Sequence, residues 1–226
     1  MNYLTIVKKK IEPKYANCID SPFKEKLFIR NLMNFSNYIS QYTSFKKSDR
    51  IFFDNLCSVK KINRNETLIE AGEIAKEAYF LKKGMMVMIY EKKGKKYIRD
   101  FIFDNTPAVA FPSFFNNKPS RYSIKTLTSC TLEILTKRDY IKACIKIPKM
   151  KSIALTATNH GHMTLEKRFE AILTLTPEER YIDLLKNNPG MVNQISIGLI
   201  ASYLGISIQS LSRIRKRLAN KKKSVI

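Results

Sequence analysis

The stretch Ile200–Leu218, IASYLGISIQSLSRIRKRL, constrains this chain more than any other. Leu199, Ile200, Tyr203 and Leu204 recur at i, i+1, i+4 and i+5. Leu211, Ile214 and Leu218 follow at intervals of three and four. Each set gives one apolar face to a short helix. Gly205 stands between them, where the first helix must end, and glycine accepts the left-handed backbone of such a stop without a Cβ penalty. Ser207 is placed to cap the second helix through its hydroxyl. The spacing therefore predicts a helix, a tight turn and a second helix. The outer face of the second helix carries Ile208, Gln209, Ser212, Arg213, Lys216 and Arg217.

These residue types suit the major groove of duplex DNA. Gln209 and Arg213 are i, i+4 neighbours on one face. Arginine donates two bonds to guanine, and glutamine both accepts from and donates to adenine. Ile208 offers only packing on a thymine methyl. Ser207 and Ser210 lie at the helix start, where hydroxyls and unpaired amides suit phosphate oxygens. Arg215, Lys216 and Arg217 are expected on phosphates rather than bases. The plainer alternative is a helical hairpin with a solvated basic face.

The segment Thr176–Leu218 resembles the C-terminal winged helix-turn-helix of the Crp/Fnr transcription regulators, in particular their Bacteroidetes branch. The words Ile200–Gly205 and Ser210–Arg215 carry the likeness. Gly205 and Arg213 stand where that family keeps its turn glycine and its base-reading arginine. The resemblance reaches upstream to about Asn34. It implies an α+β chain: an antiparallel jelly roll of the cyclic-nucleotide-binding kind, a long dimerisation helix and the winged helix-turn-helix. The expected boundaries are 1–33 for an N-terminal extension, 34–147 for the effector domain, 148–173 for the dimer helix and 174–226 for the DNA-binding domain. It further implies a homodimer on double-stranded DNA, with RNA polymerase as an additional partner.

Charge agrees with a polyanionic partner but does not locate it. The formal net charge is +22, yet residues 174–226 hold nine Lys or Arg against three Asp or Glu, only +6 of that total. Arginine is the sharper marker: there are eleven, three of them within Arg213–Arg217. No apolar run approaches the length of a membrane span. The N-terminus shows no signal-peptide pattern, since Lys8–Lys10 follow the apolar residues instead of preceding them. A cytoplasmic protein is expected. Cys18, Cys57, Cys130 and Cys144 show no metal-ligand spacing and read as reduced thiols, with Cys57 and Cys130 in the core. The clustered N-terminal cysteines of iron–sulfur relatives are missing.

Residues 1–33 are ambiguous. Lys24–Met33 fits an amphipathic helix, but the segment reads equally as a partly ordered arm or as sequence ahead of the true start at Met33. Residues 34–56 look helical, with a fresh start at Ser48-Asp49. From Cys57 the period shortens to two, punctuated at Asn63–Asn65, Gly72, Gly84 and Gly94. Met85–Tyr90 and Tyr97–Phe103 form a hairpin, and Ser123–Thr128 and Cys130–Leu135 a strand pair or one bent strand. Eight or so strands with turns every 8–12 residues indicate a sandwich or barrel. A short helix over 137–147 and a long one from Lys149 to about Leu173 follow. The long helix carries Gly161, suited to a close helix pair. It also carries His160 and His162, two apart and so not a two-His metal site. Thr176-Pro177-Glu178-Glu179 is a capping box with proline at the first position. Leu173–Leu175 is the expected hinge.

The resemblance also sets a test for the barrel. A phosphate cassette of that family holds the ribose through a glutamate and the cyclic phosphate through an arginine. Here the acidic position falls at Ala110 and the arginine position at Ser120, with Arg121 beside it; one residue on a strand turns a side chain to the other face. The stretch Phe111–Phe115 reads as an apolar loop. Phe111, Arg121 and Ser123 are the candidate ligand residues, cyclic AMP is not expected as effector, and no cofactor or metal is implied. No nucleophile–base pair or phosphate loop points to an enzyme. The competing reading is a small-molecule sensor with weak or lost DNA binding.

Overall fold

The computed structural model describes residues 33–42, 45–188, 190 and 192–223. The predicted helix over 24–33 lies almost wholly outside them. Two short helices, α1 (Phe35–Ile39) and α2 (Lys47–Leu56), open the described chain. Eight strands follow: β1 (Ser58–Ile62), β2 (Thr67–Ile69), β3 (Glu77–Lys83), β4 (Met86–Lys92), β5 (Lys95–Ile102), β6 (Thr106–Ala108), β7 (Ser123–Thr126) and β8 (Cys130–Thr136). They form two four-stranded antiparallel sheets, ordered β1-β8-β3-β6 and β2-β7-β4-β5. The mixed fold class and the eight-stranded sandwich are as the sequence led us to expect.

β7 and β8 are not a pair. The chain leaves one sheet after Thr126 and enters the other at Cys130. Gly84 permits the close approach there: a Cβ on it would lie 2.7 Å from the Cys130 Sγ and the Ser129 carbonyl, and its φ is +120°. The β4–β5 hairpin is tighter than expected, because the strands pair as far as Lys92 and Lys95. Its two central residues, Lys93 and Gly94, have φ of 51° and 71°, the pattern of a type I′ turn.

β3 and β4 are buried without alternation because both of their faces are covered. Phe80 of β3 stacks on Phe35 of α1, with ring centroids 5.6 Å apart. The Glu133 carboxylate on neighbouring β8 accepts from the Phe35 amide at 2.6 Å and pairs with Lys82 at 3.2 Å. In β4, Met86 and Met88 point into the core between the sheets. Val87 and Ile89 point the other way, into a second cluster made largely by C-terminal helices.

The segment read as an apolar loop is a helix, α3 (Phe111–Asn116), with proline in its first turn and Asn117 in the left-handed region at its end. α4 (Lys137–Lys146) and the 25-residue α5 (Met150–Thr174) follow. Gly161 faces the Phe111 ring, which a Cβ would meet at 3.6 Å, an ordinary contact distance. His160 lies against Tyr42 at 5.6 Å between centroids, and His162 lies 3.7 Å from Glu166 on an exposed face. Cys130 is buried and Cys57 half-buried. Burial pushes the Cys57 thiol up to about 12 and raises that of Cys130 as well.

α6 (Pro177–Asn187) opens with the expected capping box: the Thr176 hydroxyl accepts from the Glu179 amide and the Glu179 carboxylate accepts from the Thr176 amide. α7 (Ile197–Leu204) and α8 (Ile208–Lys223) complete the chain. The wing implied by the resemblance has no counterpart here: among the described residues beyond α5 there are only helices and one 3-10 turn. The run from Leu218 to Lys223 contains no glycine, proline or β-branched residue, and it continues α8 instead of turning into a strand.

Candidate nucleic-acid interface and barrel cavity

The turn between α7 and α8 is set locally. Gly205 takes φ +71°, and the Ile206 amide reaches back to the Ala201 carbonyl at 3.0 Å. The Ser207 Oγ accepts from the Ser210 amide at 3.1 Å, the predicted cap. The two helices meet at 98°. Leu211 and Ile214 are buried against Ile200, Ala201 and Leu204, which fixes the rotation of α8.

All the DNA-contact candidates except the half-buried Ser210 are exposed, and the side chains of Gln209, Ser212, Arg213, Arg215 and Lys216 have no partner among the described residues. The helical period places Gln209, Ser212, Arg213 and Lys216 together on the outward side, with Arg215 on one flank. The remaining candidates differ. Arg217 turns toward α6 and pairs with Glu178 at 2.6 Å. Ile208 is 49% exposed, but its Cδ1 also covers Gly198 at 3.7 Å from where a Cβ would stand. The Ser207 and Ser210 hydroxyls bond each other at 2.9 Å. The outward row is therefore Gln209, Ser212, Arg213 and Lys216.

α7 is tied to the sandwich. The Ser202 Oγ donates to the Lys96 carbonyl at 3.0 Å and accepts from the Ile98 amide at 3.2 Å. Arg168 of α5 lies over the Tyr203 ring, 3.9 Å from its centroid. Its guanidinium donates to the carbonyls of Ile98 and Tyr203, each at 2.9 Å, and to that of Arg99. Burial raises the Asp100 carboxyl above its usual range, and the nearby Arg168 and Arg99 oppose that shift. Arg180 joins the ends of three helices through the carbonyls of Leu175, Ile172 and Leu204. Sequence reasoning missed both clasps. Their signal was the choice of arginine in a lysine-rich chain, at places where several acceptors must be met by one planar group.

The barrel end beneath α3 holds an open cavity of about 480 Å³, lined on one side by Leu165, Phe169 and Ile172 of α5. Of the three ligand candidates only Arg121 lines it, as an exposed rim residue. Phe111 packs against Phe115 and Gly161. Ser123 is buried elsewhere, donating to Glu70 at 2.7 Å and accepting from the Ala71 amide at 3.0 Å. The interior belongs to residues not foreseen: Tyr90 stands edge-on to Tyr122 at 5.6 Å, and Arg99 lies 4.5 Å from the Tyr122 ring centroid. Ala110 is buried at the start of α3, and the Ser120 hydroxyl donates to the Tyr122 carbonyl at 2.6 Å. Neither Ala110 nor Ser120 carries a charge.

Residues 59–146, spanning most of β1 through α4, match the family model of the cyclic nucleotide-binding domain. No curated protein matches the chain in sequence. Among solved structures, the chain is similar to the c-di-GMP responsive global regulator CLP of Xanthomonas campestris. That match has 12% identity and a TM-score of 0.63, covering 78% of this chain and 93% of the other. FixK2 of Bradyrhizobium japonicum matches with 15% identity and a TM-score of 0.63, covering 74% and 86%. A putative cAMP-binding regulatory protein of Silicibacter pomeroyi matches with 17% identity and a TM-score of 0.58, covering 84% and 88%. At these identities the likeness is one of fold. No single helix among the described residues is long and apolar enough to cross a membrane.

Proposed function

We propose that this chain is a sequence-specific, DNA-binding transcription regulator of the Crp/Fnr type, cytoplasmic and homodimeric, whose sensor domain does not take cyclic AMP. The observation that carries the reading is the outward row of α8. Gln209, Ser212, Arg213 and Lys216 stand exposed on a helix held at 98° to its predecessor, within the 90–120° of DNA-reading helix pairs. The α8 N-terminus enters the major groove in this reading, with Arg213 and Gln209 on base edges and Lys216 and Arg215 on phosphates.

Apolar side chains that α5 leaves in solvent support the dimer: Leu155 is 63% exposed, Phe169 61% and Leu173 68%. A twofold mate covering them sets two recognition helices one DNA turn, about 34 Å, apart. The loss of both nucleotide-binding charges at Ala110 and Ser120 supports the altered sensor.

The test is selection of random duplexes on the purified protein at roughly physiological salt, with and without cyclic AMP. The expected result is a twofold-symmetric consensus indifferent to the nucleotide. A consensus that appears only with cyclic AMP overturns the sensor reading. No consensus in either condition favours the small-molecule module without DNA binding.

A further inference from the structure

We propose that the lysine-bearing tip of the β4–β5 hairpin is a second DNA-contacting element, taking backbone phosphates beside those met by α8. The proposal rests on the DNA-binding reading above and extends it to a part of the sandwich that the reading does not use.

The tip carries Lys92, Lys93, Lys95 and Lys96 around Gly94, all exposed. Three lysines elsewhere find acids: Lys82 pairs with Glu133, Lys125 with Glu70 and Lys142 with Asp139. Among the described residues the four tip lysines have no such partner. Lys93 is on the turn, Lys92 and Lys95 face each other across the last ladder pair, and Lys96 stands opposite Glu91, so the tip carries a net charge of one sign within a few residues. A cluster of one sign raises the local potential and attracts a polyanion.

The tip is also held in place. Strand pairing continues to Lys92 opposite Lys95, so no slack loop intervenes. The carbonyl of Lys96 itself accepts from Ser202 of α7, and the Ile98 amide donates to the same hydroxyl. Phe101 packs on Tyr203 at 5.1 Å between centroids. α7 and the hairpin thus form one unit. In a helix-turn-helix the first helix crosses the DNA backbone while the second enters the groove. In the proposed complex, the hairpin fixed beside the first helix lies along the phosphates there. With no wing after α8 among the described residues, the hairpin is the β-element at the side of the helix pair.

The experiment measures binding of the full chain to its selected duplex and to a random duplex across a range of salt. The variant carries Lys92→Gln, Lys93→Gln, Lys95→Gln and Lys96→Gln. The control removes equal charge from Lys60, Lys61, Lys146 and Lys151, exposed on the other sheet, α4 and the start of α5. The hairpin variant is expected to weaken both duplexes about tenfold or more, and to flatten the log–log salt slope by about 0.9 for each phosphate that it no longer neutralises. Its hydroxyl-radical footprint should lose protection outside the half-sites, and its thermal melt should match that of the wild type. An unchanged slope and footprint, or an equal weakening in the control, overturns the hairpin's role while leaving the DNA reading intact. Wild type that binds no duplex removes both.

Discussion

The outward row of α8 and the cavity beneath α3 are made from the same kinds of residue, arginine, serine and amphipathic side chains, but use them in opposite ways. On α8, Gln209, Ser212, Arg213 and Lys216 face solvent. Around the cavity, Ser113 accepts from the Ala75 amide, Ser120 and Tyr122 donate to backbone carbonyls, and Arg99 covers a ring. A polar group already bonded within its own chain gives a ligand little, because binding only exchanges one partner for another. The contrast teaches that ligand capacity lies in unspent donors, not in residue types. By that measure α8 keeps its outward donors unpaired among the described residues, whereas most polar groups around the cavity are bonded within the chain and Arg121 stands exposed at its rim.

Arginine shows the same division, and its strongest test comes first. Arg168 meets three carbonyls and one ring at the junction of α5, β5 and α7. Arg168→Ala leaves those carbonyls unpaired, and is expected to cost about 2–4 kcal/mol in chemical denaturation. Arg168→Lys should recover little, since an ammonium has no planar fork to bridge the set. A silent Arg168→Ala would dissolve the distinction between structural and reading arginines.

Arg213→Ala should behave in the opposite sense. The thermal melt should stay at the wild-type value, while binding to the selected site weakens by about 1–3 kcal/mol and binding to random duplex changes little. Equal affinity of mutant and wild type for the selected site would remove Arg213 from base reading.

What was legible in the sequence was local. The α7–α8 turn follows from one glycine, one cap and a period of three and four, and the capping box at Thr176 was readable from four residues. What was not legible depended on remote cover. β4 lacks alternation because Val87 and Ile89 meet side chains about a hundred residues further along. α3 escaped notice because a phenylalanine-rich run with an early proline has no amphipathic period; it folds as a helix where α4 and α5 receive its rings, as Tyr140 does for Phe114. The ligand candidates suffered from the same limit. Ser123 and Arg121 lie two apart on the chain, yet one is consumed by Glu70 and the other stands at the cavity rim. Arg217, expected on phosphate, also pairs with Glu178 of α6, a partner that its own helix does not reveal.

Lys216 sharpens the comparison on the α8 side. As a point charge on phosphate it reads no base, so Lys216→Ala should weaken selected and random duplexes alike, by a few-fold. It should also reduce the salt slope by about 0.9 per protomer, read from titrations at several salt concentrations. A weakening confined to the selected site would move Lys216 among the base readers and shift the register of the whole helix.

The smallest effect belongs to the seam where the two regions meet. Burial raises the Asp100 carboxyl above its usual range despite Arg168 and Arg99. A carboxyl with a raised folded-state pKa contributes stability that is fully present below its unfolded pKa and is lost as pH rises through the folded value. Asp100→Asn removes that titration. The difference in unfolding free energy between wild type and Asp100→Asn should therefore move in favour of the variant as pH climbs out of the acidic range, then level off. A difference moving the other way would mean that the two guanidinium groups outweigh burial. Arg168 would then hold α5 to β5 by charge as well as by its hydrogen bonds, and raised salt would loosen that contact.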